Sequence, residues 1–92
     1  MSWAGDYFLG IAEDVEHLLC DLGHEVDEDE FDAINWTVTW GGTHELSGIA
    51  RMIVRALEDA EPETREALFV RACKVIMELD DLAGERVEPI AA

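Results

Sequence analysis

Basic residues are scarce in this sequence, and its first half has none. The 92 residues contain 6 Lys and Arg against 22 Asp and Glu, which gives a formal net charge of −16. No Lys or Arg precedes Arg51, so residues 1–50 hold 12 acids and no base. Nucleic acids and anionic membranes bind proteins mainly through Lys and Arg. The charge therefore argues against direct binding to either, and it favours a basic protein as the partner.

Long apolar segments and cysteine motifs are missing as well. Apolar runs such as residues 18–20 and 68–70 are far shorter than the ~20 residues that cross a bilayer. The opening residues lack the basic and apolar regions of a secretory signal. Cys20 and Cys73 match no disulfide framework and no zinc spacing. We therefore expect a cytoplasmic protein without a membrane segment, with reduced thiols favoured over a disulfide.

Apolar residues at helical spacing occur in three segments and predict the longer helices of a bundle. Their expected ranges are residues 2 or 6 to 22, 43–60 and 62–83. The expected breaks between and after them are Gly23, Pro62 and Gly84. Thr43 is the expected N-cap of the second helix. The apolar arc of the third helix exceeds half its circumference, so other helices or a second copy must cover it on two sides.

The segment after the first helix predicts a short acidic helix and an extended stretch. Asp27 is the expected N-cap, with Glu30 in the capping-box position. Residues 36–40 alternate Trp or Val with Thr, which is the period of a strand, and two glycines follow. Because no second strand is recognisable, we expect a packed extended connection or an edge that pairs with another chain.

The predicted fold is therefore mainly α. It is a small helical bundle of three long or medium helices, plus a short acidic helix and a short extended Trp-containing segment. Residues 1–84 are expected to form a single helical domain, and residues 85–92 a short C-terminal tail.

Candidate metal and catalytic sites are weak. The possible metal ligands at helical spacing are Glu13, His17, Cys20, Asp21 and His24. A metal site needs ligands that converge from different elements, and a solvated acidic face explains the same residues. Asp32 occupies the place where a calcium loop starting at Asp27 would need glycine. No nucleophile beside a base and no phosphate-binding loop is recognisable, so we expect no metal, no cofactor and no enzymatic activity.

The base-free half supplies the candidate partner-binding residues. These are Glu13, Asp14, Asp21, Asp27, Glu28, Asp29, Glu30, Asp32, Trp36 and Trp40. The carboxylates would attract positive charge, and the tryptophans would act as anchors, with burial in the core as their alternative. A second apolar strip on the third long helix, made of Val70, Cys73 and Met77, is the candidate oligomer interface.

In size, charge and helical content the chain resembles the small inhibitors encoded by bacteriophages and mobile elements, including anti-CRISPR and DNA-mimic proteins. The resemblance implies a basic, nucleic-acid-binding protein as partner, with carboxylates of the first helix and of residues 27–32 in its Arg/Lys-lined groove. Inhibition would then be competitive and sensitive to salt. The alternative is a homo-oligomeric helical scaffold or adaptor without inhibitory activity, such as a homodimer.

Overall fold

The computed structural model describes the backbone of residues 3–86 and the side chains of residues 6–86. This part of the chain consists of α-helices, without a strand. The helices are α1 (Trp3–Asp21), α2 (Glu28–Trp40), α3 (Thr43–Asp59) and α4 (Pro62–Glu85). None of these described helices has a stretch long and apolar enough to cross a membrane. The mainly helical fold predicted from the apolar spacing is confirmed.

The turn that ends α1 is built on Gly23. Its φ of +100° lies in the left-handed region, which favours glycine. The Gly23 N–H donates to the Cys20 carbonyl at 3.0 Å, and the His24 N–H donates to the Leu19 carbonyl at 2.8 Å. This is the Schellman arrangement, which satisfies carbonyls that have no partner inside the helix. The predicted break at Gly23 is confirmed.

Helix α2 begins at the predicted cap. Asp27 Oδ1 accepts a hydrogen bond from the Glu30 N–H at 2.8 Å. The Glu30 carboxylate lies 3.2 Å from Nε2 of His24, so it ties the preceding turn to the first turn of the helix. Three acids in that first turn also face the positive end of the helix dipole.

The N-cap of helix α3 lies one position earlier than predicted. Gly42 is the N-cap, and its N–H donates to Glu45 Oε1 at 2.9 Å. Thr43, the expected cap, is the first helical residue, and its Oγ1 donates to the Ala83 carbonyl of α4 at 3.2 Å. The side chain of Thr43 thus joins two helices instead of capping one.

The four helices form two hairpins around one apolar core. Helix α1 packs mainly against α2, and α3 mainly against α4, while contacts between α1 and α4 join the hairpins. Among the described residues no polar or charged side chain is buried. The largest fully buried side chains come from all four helices and are Val15, Leu18, Leu19, Val38, Leu46, Ile53 and Leu79.

Residues 36–40, predicted to be extended, form the C-terminal part of α2, so that prediction was wrong. Residues two apart share a face in a strand, whereas in a helix they lie about 200° apart. The alternation therefore places Val38 on one side of the helix and Trp36 and Trp40 on the other. Val38 is fully buried, while the tryptophans are 59% and 72% exposed. Ile34 and Val38, four apart in the core, fix the segment as helical.

Helix α4 continues through the predicted break at Gly84, two residues past its predicted range of 62–83. It ends at Glu85, with Arg86 as its C-cap. Of the predicted tail, residues 87–92 lie outside the described residues. The side chain of this C-cap residue, Arg86, reaches the C-terminal end of α2 and is partly buried there.

Candidate partner-binding face of helix α2

One side of α2 carries four of the predicted binding residues. Spacings of three and four bring Asp29, Asp32, Trp36 and Trp40 into line, with Ala33 between them, and all five are exposed. We call these five residues the α2 outer face. It extends about 16 Å along the helix, at 1.5 Å per residue. Its N-terminal half is anionic and its C-terminal half is aromatic.

The tryptophans of the α2 outer face have no aromatic or cationic partner among the described side chains. Among the described side chains, the aromatic ring contact is between Tyr7 and Phe8, and the cation–π contact is between Arg86 and Phe8. Because both tryptophans are exposed, burial in the core, the alternative for Trp36 and Trp40, was wrong. Apolar surface exposed to water is unfavourable, and large exposed apolar patches mark interaction sites.

Arg86 holds the C-terminal end of α2. Its Nη1 donates to the carbonyls of Gly41 at 2.8 Å and Thr37 at 3.2 Å, and its Nη2 donates to the carbonyl of Val38. Its Cζ lies 5.2 Å from the centroid of the Phe8 ring on α1. Carbonyls at a helix C-terminus lack intrahelical donors and carry partial negative charge, so a guanidinium satisfies both needs. The aromatic end of the α2 outer face is thereby fixed to α1 and α4.

The hairpin of α1 and α2 contains no Lys or Arg. Residues 3–40 hold 11 Asp and Glu, whereas all six bases lie on α3, on α4 or at the C-cap of α4. Among the described Lys and Arg residues, Arg71 makes an ion pair, and Arg65 and Arg86 donate to backbone carbonyls. The others make neither kind of contact with a described residue, and they are Arg51, Arg55 and Lys74. The fold therefore converts the charge asymmetry of the sequence into an asymmetry between two hairpins. The α2 outer face lies on the anionic one.

Arg65 and Arg86 each bind the C-terminal end of another helix, and the sequence analysis predicted neither contact. Arg65 Nε donates to the Leu57 carbonyl at 3.0 Å, and its Nη2 donates to the carbonyls of Glu58 at 2.9 Å and Ala60 at 3.0 Å. It therefore closes α3 as Arg86 closes α2. In each case an arginine side chain binds backbone carbonyls of another helix, and no local sequence pattern predicts that contact.

Three predicted binding residues lie on α1 and not on the α2 outer face. Glu13 and Asp14 belong to a shallow acidic depression beside α4, whose carboxylates are Asp6, Glu13, Asp14 and Glu78. Asp21 is already paired, because its Oδ2 lies 2.6 Å from Nη1 of Arg71. Asp21 is thus less available to a partner than the acids of α2.

Three further predicted residues lie at the start of α2 but off its outer face. Asp27 is the N-cap, and Glu30 contacts His24. Glu28 is exposed but lies about 100° around the helix from Asp29. Their charge adds to the field of the hairpin, while Asp29 and Asp32 alone among the acids of residues 27–32 align with the tryptophans.

A second exposed apolar patch lies on α4. The predicted interface residues Val70 and Met77 are 65% and 64% exposed, and Cys73 is partly buried. Phe69, also exposed, joins them at helical spacing. We call these four residues the α4 strip. Helix α4 packs against α3 and α1. Val70 and Met77, which widen its apolar arc, stay exposed, so these two helices cover only part of the predicted arc.

Within residues 6–86, no group of three or more His, Cys, Asp or Glu side chains is placed to hold a metal ion. Of the possible ligands at helical spacing, Asp21 pairs with Arg71 and His24 lies against Glu30. Compared with family models, curated proteins and solved structures, the chain matches none of them.

Proposed function

We propose that this chain is a small acidic inhibitor that binds a basic, nucleic-acid-binding protein through the α2 outer face. Its carboxylates would take the place of nucleic-acid phosphates in an Arg/Lys-lined groove, as in the anti-CRISPR and DNA-mimic proteins that it resembles. An immunity protein or antitoxin that covers a basic nuclease would use the same physical chemistry. Charge would speed the encounter, and the tryptophans would slow dissociation.

The observation that carries this proposal is the position of Trp36 and Trp40. Acidic surface alone is common, because it keeps proteins soluble. Two exposed tryptophans one turn apart add nothing to solubility, and they continue the line of Asp29 and Asp32 on a hairpin without bases. Aromatic anchors next to charges complementary to the partner are typical of binding hot spots.

Capture experiments with matched variants test the binding surface. The tagged chain is incubated with host lysate at low and high salt, and retained proteins are identified by mass spectrometry. Trp36→Ala/Trp40→Ala should abolish capture, whereas Phe69→Ala, which removes another exposed aromatic ring, should leave it unchanged. Asp29→Asn/Asp32→Asn should weaken capture more than Asp80→Asn/Asp81→Asn, which makes the same change in net charge on exposed α4 residues. Equal effects within each pair would exclude the α2 outer face.

Competition with nucleic acid tests the inhibitory activity. The purified partner is bound to labelled nucleic acid, and the chain is titrated into the complex. We expect displacement that weakens as salt rises, because screening reduces attraction between charges. A partner that binds nucleic acid and this chain at the same time would contradict competitive inhibition while leaving the binding surface intact.

A homo-oligomeric scaffold is the second candidate, and the α4 strip is the observation that favours it. A two-fold antiparallel pair of α4 helices centred on Cys73 would place Phe69 opposite Met77 of the other copy. The same pairing brings Glu66 close to Asp80 of the other copy, and like charges oppose it. Analytical ultracentrifugation distinguishes the candidates: a dimer lost in Val70→Lys/Met77→Lys but kept in Trp36→Ala/Trp40→Ala would favour the scaffold.

A further inference from the structure

We infer that the α2 outer face recognises one α-helix of the partner, with arginines that stack on Trp36 and Trp40 and cations that pair with Asp29 and Asp32. The inference rests on the proposed function and names the chemistry of the partner segment. It combines three observations: two indoles without an aromatic or cationic partner among the described side chains, two carboxylates in line with them, and a supporting hairpin that lacks Lys and Arg.

The spacing of the four groups selects a helix. Along α2 they stand at intervals of three, four and four residues, or about 4.5, 6 and 6 Å. Side chains at i, i+3, i+7 and i+11 of a second helix repeat at the same heights. An extended strand presents same-side residues every 6.4–6.8 Å or so, and it drifts out of register across the ~16 Å of the face.

The tryptophans select arginine over lysine. An indole is the strongest cation acceptor among aromatic side chains, and the planar, weakly hydrated guanidinium stacks on it. A lysine ammonium is more strongly hydrated and gains less from such a contact. Within residues 6–86 a guanidinium already lies over a ring, since Arg86 Cζ is 5.2 Å from the Phe8 centroid. At Asp29 and Asp32 either cation suffices, because the contact is mainly one of charge.

The test uses labelled alanine-based helical peptides and fluorescence anisotropy. One peptide carries arginine at i, i+3, i+7 and i+11, the second carries lysine at the same positions, and the third carries the four arginines spread around the helix. We expect the aligned arginine peptide to bind about 3- to 10-fold more tightly than either of the others. In a Trp3→Phe background, in which Trp36 and Trp40 are the remaining tryptophans, its binding should also change the intrinsic fluorescence.

Surface variants assign the preference to named residues. Trp36→Ala/Trp40→Ala should remove the preference for arginine over lysine, whereas Asp29→Asn/Asp32→Asn should weaken both peptides by the same factor. Phe69→Ala is the control for the loss of an exposed aromatic ring. Circular dichroism checks that each variant keeps its helices, which is expected because all of these positions are on the surface.

The outcomes separate this inference from the proposed function. Equal binding of arginine and lysine peptides, with capture of a basic protein intact, would overturn the arginine preference and leave the function standing. Equal binding of the aligned and the spread arginine peptides would overturn the inference that the partner segment is a helix. A second copy offers Arg51 and Arg55 four apart on α3, so self-association lost in Trp36→Ala/Trp40→Ala would assign the face to the chain itself and overturn the external partner. Failure to bind any basic peptide or protein at low salt would overturn both proposals.

Discussion

Replacement of Arg86 by alanine should destabilise the whole protein, although the residue lies outside the helices as the C-cap of α4. The change removes three hydrogen bonds to carbonyls at the C-terminus of α2 and a cation over the Phe8 ring. Two of the acceptors belong to Thr37 and Val38, in the last turns of the helix that carries the candidate face. The loss should therefore spread from the α4 cap to α2.

The magnitude follows from partial burial. A hydrogen bond from a charged donor contributes about 1.5–3 kcal/mol, but Arg86 is partly buried and water can reach some of the freed carbonyls. Three such bonds are not additive, and the cation over the ring adds about 0.5–1 kcal/mol. We expect the free energy of unfolding to fall by about 2–4 kcal/mol. Arg86→Lys should lose roughly half of that, because an ammonium restores the charge without the planar fork.

Urea unfolding followed by far-ultraviolet circular dichroism measures this loss. The control is Arg55→Ala, which makes the same change in net charge at an exposed residue without an ion pair in the described structure. If both variants unfold at the same urea concentration, the effect is one of overall charge and the role assigned to Arg86 is wrong. Hydrogen exchange adds a local readout, since amides in the last turn of α2 should lose protection first.

Three further stability predictions use neighbouring or isosteric controls in the same unfolding assay. Ile53→Ala, at a fully buried site, should cost about 2–5 kcal/mol, whereas Val54→Ala on the exposed side of α3 should cost less than about 1 kcal/mol, and similar losses would place the core elsewhere. Asp27→Ala should cost about 1 kcal/mol through loss of the α2 cap, and Asp27→Asn should be nearly neutral; an equal loss in both would show that charge, not the cap, stabilises α2. Gly48→Ala should stabilise by about 0.5–1 kcal/mol because α3 has space for the methyl group, while Gly41→Ala should destabilise because its Cβ would stand 2.6 Å from the Thr37 carbonyl oxygen. The opposite order for the two glycines would contradict the tight turn after α2.

The sequence predicted the parts of the fold that depend on local chemistry. Apolar spacing found α1, α3 and α4, Gly23 marked the end of α1, and Asp27 marked the start of α2. Each of these signals acts within a few residues, so one chain suffices to read it.

The errors came from ambiguity and from distance along the chain. An alternation as short as residues 36–40 fits a strand face, and it equally fits two opposite sides of a helix. Ile34 was the missed signal, because its spacing to Val38 continues a helical core stripe across the supposed boundary. Arg86 and Thr37 are 49 residues apart, so no local pattern joins them. Likewise, composition identified the acidic half, but only the fold showed which acids align with the tryptophans.

The placement of the few bases explains how so acidic a chain keeps a stable helical fold. None of the four helices has a basic residue in its last turn, where one would suit the helix dipole. Arginines from elsewhere occupy those ends: Arg71 pairs with Asp21 at the end of α1, Arg86 binds α2, and Arg65 binds α3. These contacts and the core do not overlap with the α2 outer face. Neutralising Asp29 and Asp32 should therefore change recognition and leave the fold intact, whereas removing Arg65 or Arg86 should lower the stability of the fold.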